Sequence, residues 1–577
     1  MRWNLVAGLK KLVAQETGTR IFAPGLRTPV AFLYPNTYNL GMSNLGLHIL
    51  YQVLNGTGVW GCERFFLPGR HELAEYTRTR TPLLSMETQR ALGEFPYVCV
   101  MMSFELDYTN FLTMLELGRL SLLAAERQEQ EPLVIMGGPC ATFNPEPLAP
   151  FVDIFVLGEG EETLPRLLQV LQSGREKGLS REERLVAAAQ LPGVYVPRFY
   201  TPVYTETETG PACSGIQVDT RVPPTVSRQW VRELDRYPHT SAIVTQQTEF
   251  AGMYIVEVAR GCGRHCRFCM AGYCFRKPRN RNLQNLWQDI SQRPAAAAKV
   301  GLMGAAVSDY PEMHELTQRL FRGGIPFSVA SLRADTLDLD LAQALAASGQ
   351  RTMTIAPEAG SVKRRAAINK GIEAEHVYAA VRLAAAAGMA NIKLYFMIGL
   401  PGEDEDDIRD ITTMVHQVRQ MMDQCGNKGE LVVSVNAFVP KPWTPYQWSG
   451  LAPLPLLKQR FAFLNSSFKK DSRIKLITES LKETELQALL SRGNRRVGEA
   501  LGRAFRERLP FKKALQAAGF VTTVYAHRQL TPGQVLPWSH LQMGVTEAYL
   551  RRELAGSEQG MATPRCFEGC HRCGVCQ

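Results

Sequence analysis

A chain of 577 residues is too long for one ordinary domain, and a hydrophobic content of 45% with 21% charged residues is typical of a soluble globular protein. There is no run of about eighteen apolar residues, which argues against a membrane span, and residues 1–11 lack the apolar core of a signal peptide. Seven of the thirteen cysteines fall into two tight groups, which favours metal sites in a reducing, cytoplasmic compartment over a disulfide framework.

Apolar strands alternate with helical patterns through the first 175 residues. Strands are predicted at 30–34, 97–103, 133–136 and 154–157, and helices at 45–54 and 112–125. This pattern predicts a Rossmann-like α/β domain with a parallel sheet, and ligands bind such sheets at the carboxyl ends of the strands. The candidate ligand-binding residues at those ends are Asn36, Tyr38, Gly41, Ser103, Gly137, Gly138, Gly158 and Glu159. Ordinary turns also favour several of these residue types.

The rest of the chain divides into three parts. Residues 176–248 are charged and then rich in Pro and Thr, which predicts a linker with a small β-rich extension. Residues 249–450 form a second α/β unit, and residues 451–577 a small, basic, α-rich region. The six strands predicted in the second unit are 254–258, 299–304, 326–331, 352–356, 392–398 and 432–438.

Three cysteines, Cys262, Cys266 and Cys269, form a C-x3-C-x2-C group directly after the first strand of the second unit. Three thiolates on one loop can ligate three irons of a [4Fe-4S] cluster and leave the fourth iron open to a substrate. Zinc is the alternative, but zinc loops usually supply pairs of ligands from two places and close all four positions. The spacing therefore favours a cluster with an open iron.

This cysteine loop, with the aromatic residue Phe268 before its third Cys, resembles the radical S-adenosylmethionine (SAM) superfamily. The resemblance implies that residues 249–450 form a (β/α)6 partial barrel. It also implies that the cluster binds SAM and cleaves it reductively to methionine and a 5′-deoxyadenosyl radical. An external electron donor of flavodoxin or ferredoxin type is expected as a partner.

The resemblance also implies contacts to SAM at the strand ends of this barrel. A guanidinium can bind the SAM carboxylate, a carboxylate can bind the ribose hydroxyls, and glycine lets the backbone approach adenine. The matching positions are Phe268, Ser308, Arg333, Glu358, Gly399 and Gly402. An ion pair between Arg333 and Glu358, and a helix-starting turn at Gly402, are the structural alternatives.

The first unit resembles the cobalamin-binding domain that precedes the radical SAM domain in the cobalamin-dependent class, through the Gly137-Gly138 turn and the 158–161 turn. Many such domains ligate cobalt through the His of a D-x-H-x-x-G loop, but residues 36–41 read Asn-Thr-Tyr-Asn-Leu-Gly. Cobalamin bound here would have its lower face either unligated or held in some other way. Longer strings at 34–46, at 354–361 together with 368–371, and at 438–448 resemble a poorly characterised family of this class.

A second cysteine group consists of Cys566, Cys570, Cys573 and Cys576. Its spacing favours a second [4Fe-4S] cluster, with zinc or redox-active thiols as alternatives. The segment 456–515 carries fifteen basic and six acidic residues. It is either a solvated helical face or a surface for RNA phosphates.

Three functions follow from these motifs. The first is a cobalamin-dependent radical SAM methyltransferase that acts on an unactivated carbon of a small molecule, peptide or RNA. The second is a sulfur-inserting or rearranging radical SAM enzyme that uses the C-terminal cluster without cobalamin, with RNA as one candidate substrate. The third is an RNA-binding protein with a structural cluster. The sequence assigns no further catalytic residue.

Overall fold

The first unit is built on a six-stranded sheet in the order β2-β1-β3-β4-β5-β6, parallel except for β6. The computed structural model describes residues 2–330 and 332–576. The strands are β1 (Thr28–Tyr34), β2 (Trp60–Phe66), β3 (Tyr97–Met101), β4 (Leu133–Gly137), β5 (Ile154–Val156) and β6 (Val194–Tyr195). The helices are α1 (Arg2–Val13), α2 (Tyr38–Gly41), α3 (Leu45–Gly56), α4 (Arg70–Thr79), α5 (Tyr108–Leu117), α6 (Pro139–Phe143), α7 (Gly160–Glu176) and α8 (Arg181–Ala189).

Four of these strands were predicted, but the edge strand β2 was not. Its middle carries Arg64, a residue that normally stays at the surface. In the structure the Arg64 guanidinium is fully buried between two carboxylates, 2.7 Å from Glu16 and 2.6 Å from Glu87. Because the charge is paired, the strand can be buried along its whole length. The α5 helix also differs from its predicted range of 112–125, since the chain leaves it at Gly118.

The connection between the two units is shorter than the predicted linker at 176–248. Helix α8 packs on the first unit, and β6 pairs with β5 at the edge of its sheet, so residues 181–195 complete that unit. The β-rich extension is a hairpin of β7 (Tyr200–Thr205) and β8 (Ala212–Val218). A further short strand, β9 (Val226–Ser227), pairs in parallel with the distant β19 (Leu541–Gln542).

All six strands predicted for the second unit are present, and a seventh extends the array. They form two parallel sheets, β10-β13-β14 and β15-β16-β17-β18, which a parallel bridge between Leu332 and Ile355 connects. The strands are β10 (Met253–Glu257), β13 (Lys299–Met303), β14 (Phe327–Val329), β15 (Thr352–Glu358), β16 (Asn391–Ile398), β17 (Leu431–Ala437) and the unpredicted β18 (Ile474–Thr478). Ser331, the predicted end of the third strand, lies outside the described residues.

Side chains alternate between two environments along the middle strands of this array. In β15 and β16 every second residue is buried, and the residues between them are only partly covered. The buried side chains form the layer beneath the outer helices, and the others face the inside of the array. The helices are α9 (Ala271–Cys274), α10 (Leu283–Ser291), α11 (Met313–Arg322), α12 (Leu339–Ala347), α13 (Val362–Ala367), α14 (Ala374–Ala386) and α15 (Glu405–Gln424). A short antiparallel pair, β11 (Ala259–Arg260) and β12 (Arg279–Asn280), brackets the cysteine loop.

The C-terminal region is α-rich, as predicted. Its helices are α16 (Leu454–Phe468), α17 (Leu481–Ser491), α18 (Arg495–Arg506), α19 (Phe511–Ala517), α20 (Thr522–Tyr525) and α21 (Glu547–Glu558). Within the described part of the chain, no helix is both long enough and apolar enough to cross a membrane.

Most arginines of the basic segment 456–515 are paired with carboxylates. Seven of its eight arginines form ion pairs: Arg460, Arg473, Arg495, Arg496, Arg503, Arg506 and Arg508. Several partners belong to the first unit, such as Glu146, which is 1% exposed and lies 2.9 Å from Arg495. The ion pairs of Arg495, Arg506 and Arg508 therefore connect the C-terminal region to the first unit.

Candidate active site

The loop after β10 carries the three cysteines of the C-x3-C-x2-C group. Cys266 is buried, whereas Cys262 and Cys269 are partly exposed. Burial raises the pKa of Cys262, and it raises the pKa of Cys269 to about 12. A bound metal would reverse this effect, because coordination deprotonates a thiol. Within residues 2–330 and 332–576, no three His, Cys, Asp or Glu side chains form a group that could hold a single metal ion.

The cysteine loop is held in shape by the segment that follows α13. The backbone N–H of Arg267 donates to the carbonyl of Ile368 at 2.9 Å. The side-chain amide of Asn369 donates to the carbonyls of Arg264 and His265, each at 3.3 Å. His265 and Asn369 both have a positive φ, which Asn adopts more readily than most residues. The loop conformation therefore depends on a segment about 100 residues further along the chain.

Lys370 connects several of the predicted SAM contacts. Its ammonium lies 3.0 Å from the carboxylate of Glu358 and 6.0 Å from the ring centre of Phe268. Its carbonyl accepts a hydrogen bond from Arg333 at 3.0 Å, and the Ser308 hydroxyl accepts one from the Arg333 backbone at 3.5 Å. Burial lowers the pKa of Lys370, but the negative charge of Glu358 outweighs this and leaves the pKa above its ordinary value. Four of the six predicted SAM residues are thus brought together around a charged lysine.

Arg333 and Glu358 do not pair with each other, although such a pair was the structural alternative to SAM contacts. The Arg333 guanidinium instead pairs with Asp335 at 2.9 Å, and Asp335 also accepts a bond from Arg264 of the cysteine loop at 3.2 Å. Glu358 has a positive φ at the end of β15 and pairs only with Lys370 among the ion pairs of the described residues. The two charged residues therefore stand in separate ion pairs, and both contact Lys370.

The two remaining predicted SAM residues have positive φ values and close neighbours, and their contact to SAM stays a prediction. Gly399 has a φ of +80°, and a Cβ there would lie 2.8 Å from a methyl carbon of Leu457 in α16. Gly402 has a φ of +69°, and a Cβ there would lie 3.1 Å from the guanidinium of Arg364. Leu457 of α16 and Arg364 lie where a side chain would stand, and the positive φ values also favour glycine at both positions.

A cavity of about 440 Å³ lies between the two units. Its first wall consists of strand ends of the first sheet and carries five of the eight predicted ligand residues: Ser103, Gly137, Gly138, Gly158 and Glu159. The opposite wall includes Gly261, which directly precedes Cys262, and Met303 at the end of β13. The lining is mainly apolar. A ligand held on the first sheet would therefore face the start of the cysteine loop.

The other three predicted residues, Asn36, Tyr38 and Gly41, do not line this cavity. The Asn36 amide donates to Asp107 at 2.8 Å, and the Tyr38 hydroxyl donates to Glu16 at 2.7 Å. A Cβ on Gly41 would lie 2.3 Å from the ring of Phe66. The 36–41 loop therefore has structural partners of its own. The cavity contains no His that could act as a lower ligand to cobalt.

A buried ionic network joins the two units at the edge of the cavity. Glu159 accepts two hydrogen bonds from Arg279, at 2.8 and 2.6 Å, and Arg260 lies 2.6 Å from Glu161 and 2.8 Å from Glu257. Burial raises the pKa of Glu159 and of Glu257, but the arginines outweigh it, so both pKa values lie below their ordinary range. Glu159, predicted as a ligand contact, is thus also part of the interface between the units.

The four C-terminal cysteines are brought together at a cavity of about 260 Å³. Burial raises the pKa of Cys566 to about 11. Burial also raises the pKa of Cys570, but the hydrogen bond and charge of Arg572, whose Nε lies 3.3 Å from Sγ, outweigh it and the pKa is lowered. The cysteine segment contacts the first cysteine loop, since the backbone N–H of Cys566 donates to the carbonyl of Gly263 at 2.9 Å. The two cysteine groups are therefore neighbours in space.

Lys370, Asn369 and Arg279 were not predicted as site residues. The run 368–371 was recognised only as part of a family-like string, and nothing in its local pattern indicates that it contacts a loop 100 residues away. The sequence feature that could have indicated these residues is a turn-forming Asn369 followed by Lys370, directly after a short helix.

Comparison with known proteins agrees with this geometry. Residues 46–197 match the family model described as radical SAM proteins, N-terminal, and residues 256–415 match that of the radical SAM superfamily. An uncharacterised protein of Methanocaldococcus jannaschii is 28% identical over 480 residues, which are 82% of this chain and 90% of that protein. An uncharacterised methyltransferase of Pyrococcus horikoshii is 24% identical over 300 residues, 49% of this chain and 58% of its own.

A remote likeness in structure is found as well. The radical SAM methyltransferase TsrM of Kitasatospora setae, solved with cobalamin and a [4Fe-4S] cluster, is 14% identical, with a TM-score of 0.48 over 85% of this chain and 99% of that one. The two family matches together cover more than half of the chain and include the cysteine loop. The chain is therefore an enzyme of the radical SAM superfamily.

Proposed function

We propose that this radical SAM enzyme is a cobalamin-dependent methyltransferase that acts on an unactivated carbon. The observation that carries the proposal is the apolar cavity of about 440 Å³ between the strand ends of the first sheet and the residues next to Cys262. Sheets of this type bind ligands at their carboxyl ends. The relative from Pyrococcus horikoshii, named as a methyltransferase, supports the type of reaction.

The cysteine loop fits a [4Fe-4S] cluster with an open iron. Cys262, Cys266 and Cys269 supply three thiols, and the described residues offer no fourth Cys in the same loop. Lys370 and Arg333 provide positive charge near these thiols, and the pairing of Lys370 with Glu358 fixes the ammonium in place. We assign SAM binding to this charged group, since a guanidinium or ammonium matches the SAM carboxylate and Glu358 matches its ribose hydroxyls.

The central cavity fits a large ligand with apolar faces and polar edges. Its floor is formed by side chains such as Ile49, Leu50 and Val100, and its polar groups include Asn44 and Ser103, whose side chains lie 3.4 Å apart. Because no His lines it, cobalamin would be held there without a lower ligand from the protein. When bound, the cluster with SAM supplies a 5′-deoxyadenosyl radical, and cobalamin supplies a methyl group. The apolar lining excludes water from a reactive site.

Reconstitution of the cluster tests the enzyme assignment. The anaerobically reconstituted protein is expected to cleave SAM to 5′-deoxyadenosine, and Cys266→Ala is expected to abolish this activity with loss of the iron. Cys425→Ala is the matched control, because Cys425 is an exposed residue at the end of α15. Cleavage of SAM by Cys266→Ala would contradict the cluster assignment.

Cobalamin binding is tested by filling the cavity. Hydroxocobalamin added to the protein is expected to remain bound through gel filtration, and Gly137→Leu is expected to prevent this. A Cβ on Gly137 would have only one neighbour within 4 Å, at 3.8 Å, so a larger side chain can enter the cavity without disturbing the sheet. Gly215→Leu, in the β8 hairpin where nothing lies within 4 Å, is the control. Failure of the wild-type protein to bind cobalamin would remove this cofactor and favour the sulfur-inserting or rearranging alternative.

A further inference from the structure

The segment that carries the four C-terminal cysteines folds back onto the cysteine loop of the radical SAM site. The backbone N–H of Cys566 donates to the carbonyl of Gly263 at 2.9 Å. A Cβ on Gly263 would lie 3.2 Å from the Cβ of Cys566, so the absence of a side chain allows the two segments to approach closely. A hydrogen bond between Asn369 and the backbone of Thr563, at 2.9 Å, fixes the same approach.

All four thiols line one cavity of about 260 Å³, together with the cationic side chains Arg276 and Lys277. A single water needs only about 10 to 15 Å³ of such volume, so this space is suited to a group of several atoms. The positive side chains compensate the charge of four thiolates. The spacing C-x3-C-x2-C-x2-C also resembles the close runs of cluster-binding cysteines rather than the separated pairs of zinc sites.

A buried histidine lies between the two cysteine groups. The Nε2 atom of His265, within the first group, is 3.1 Å from the Sγ atom of Cys566 in the second, and its Nδ1 atom contacts the hydroxyl of Tyr549. The His265 side chain is completely buried. Hydrogen bonds to ligand sulfurs are one of the means by which proteins set the potential of a cluster. His265 is thus placed as a positioning residue between the two groups.

From this arrangement we infer that Cys566, Cys570, Cys573 and Cys576 hold a second [4Fe-4S] cluster, which delivers electrons to the radical SAM cluster. Four cysteines close every iron, so this cluster has no open position for a substrate. A low-potential donor of flavodoxin or ferredoxin type supplies one electron at a time, and each electron converts the second cluster from its oxidised to its reduced state. The same electron then passes to the first cluster, and the second returns to its oxidised state. The inference does not depend on whether the central cavity binds cobalamin.

Metal analysis and spectroscopy test the site itself. The anaerobically reconstituted chain is expected to contain about eight irons and eight sulfides, and the double variant Cys570→Ser/Cys573→Ser about four of each. The reduced wild-type protein should give the overlapping electron paramagnetic resonance signals of two clusters, and the variant only one. Cys425→Ser should retain both. One zinc and about four irons in the wild type would overturn the inference.

The electron-transfer role is tested by changing the reductant. In the double variant, SAM cleavage driven by a flavodoxin system is expected to lose most of its rate, whereas cleavage driven by dithionite persists. Unchanged cleavage with flavodoxin would overturn the role. Retained dithionite-driven cleavage also shows that the variant is folded, and its loss together with the signal of the first cluster would assign the cysteines a structural role instead. If the wild type cleaves no SAM with either reductant, the enzyme assignment fails instead.

His265→Gln provides a separate measurement on a variant that keeps all seven cysteines. It is expected to retain the full iron content and to shift the midpoint potential of one cluster signal, because a hydrogen-bonding partner of Cys566 is changed. Potentials identical to those of the wild type would remove His265 from the proposal.

Discussion

The carboxylate of Glu159 accepts two hydrogen bonds from the guanidinium of Arg279, at 2.8 and 2.6 Å, in a buried position where the two α/β units meet. A bidentate pair of this kind fixes orientation as well as distance. Since Glu159 also lines the central cavity, the contact that joins the units also shapes one wall of the proposed cobalamin site.

The Glu159→Gln variant is expected to lower the free energy of unfolding by about 3 kcal/mol, because it leaves buried arginine charge unpaired. Glu162→Gln, an exposed neighbour, should change it by no more than about 0.5 kcal/mol. Urea unfolding followed by circular dichroism measures both. Equal stability of the two variants would show that the pair does not hold the units together.

The same carboxylate makes the interface sensitive to acid. Its pKa in the folded protein lies below the ordinary value of 4.5, so its stabilising effect is complete above about pH 4.5 and is lost as the pH falls through the folded pKa. The stability of the wild type should therefore decrease below this pH more steeply than that of Glu159→Gln. Parallel curves for the two proteins, measured as melting temperature against pH, would contradict the assignment.

Gly158 and Gly137 both line the central cavity, but they should respond differently to substitution. Gly158 has a φ of +97°, and a Cβ there would lie 2.0 Å from the carbonyl oxygen of Gln229. Gly158→Ala is expected to destabilise the protein by about 2 kcal/mol or more. Gly137→Ala, whose Cβ would meet only ordinary contact, should melt within a few degrees of the wild type. A similar loss in both would contradict the difference in steric constraint between the two positions.

Lys370→Met should weaken SAM binding without loss of the cluster. The substitution removes the partner of Glu358 and is expected to raise the Kd for SAM roughly tenfold. Lys363→Met is the control, because Lys363 is an exposed residue that pairs with Asp404 at the surface. Equilibrium dialysis with SAM and iron analysis separate the two effects. An unchanged Kd in Lys370→Met would place SAM elsewhere.

Arg495→Leu should destabilise the protein and leave RNA binding unaltered. The substitution leaves the buried carboxylate of Glu146 without its arginine, at an expected loss of about 3 kcal/mol. Arg503→Leu, which breaks only an exposed pair within α18, should have little effect. Thermal melting and filter binding of a mixed RNA pool measure the two properties. A loss of RNA affinity at an unchanged melting temperature would restore the nucleic-acid interpretation of the basic segment.

The sequence predicted the parts of the fold that depend on local hydrophobic pattern. All six strands of the second unit and four of the six in the first were located, because a buried parallel strand is a short apolar run. The β2 strand was missed since the ion pairs of Arg64 that allow its burial come from distant residues. The seventh strand, β18, was missed because Lys475 and Thr478 interrupt the short apolar run expected of a buried parallel strand.

The sequence predicted those site residues that lie together in one loop, namely the cysteines at 262, 266 and 269. Lys370 and Asn369 reach that loop only through the tertiary fold, so no spacing rule could identify them. The same holds for the docking of Cys566 on Gly263, which are separated by 303 residues. Gly399 and Gly402 stay predictions as SAM contacts, because the close neighbours at their Cβ positions account for glycine but do not test a backbone contact to SAM.

The contact between His265 and Cys566 joins residues 301 positions apart in the chain. During synthesis at about 5 to 20 residues per second, the first cysteine loop leaves the ribosome roughly 15 to 60 seconds before the segment that covers it. Throughout this interval, the loop lacks its partners at 553–566 and stands open to iron donors and to oxygen. Cluster insertion in the cell is therefore expected to occur within this interval, before the C-terminal segment docks on the loop.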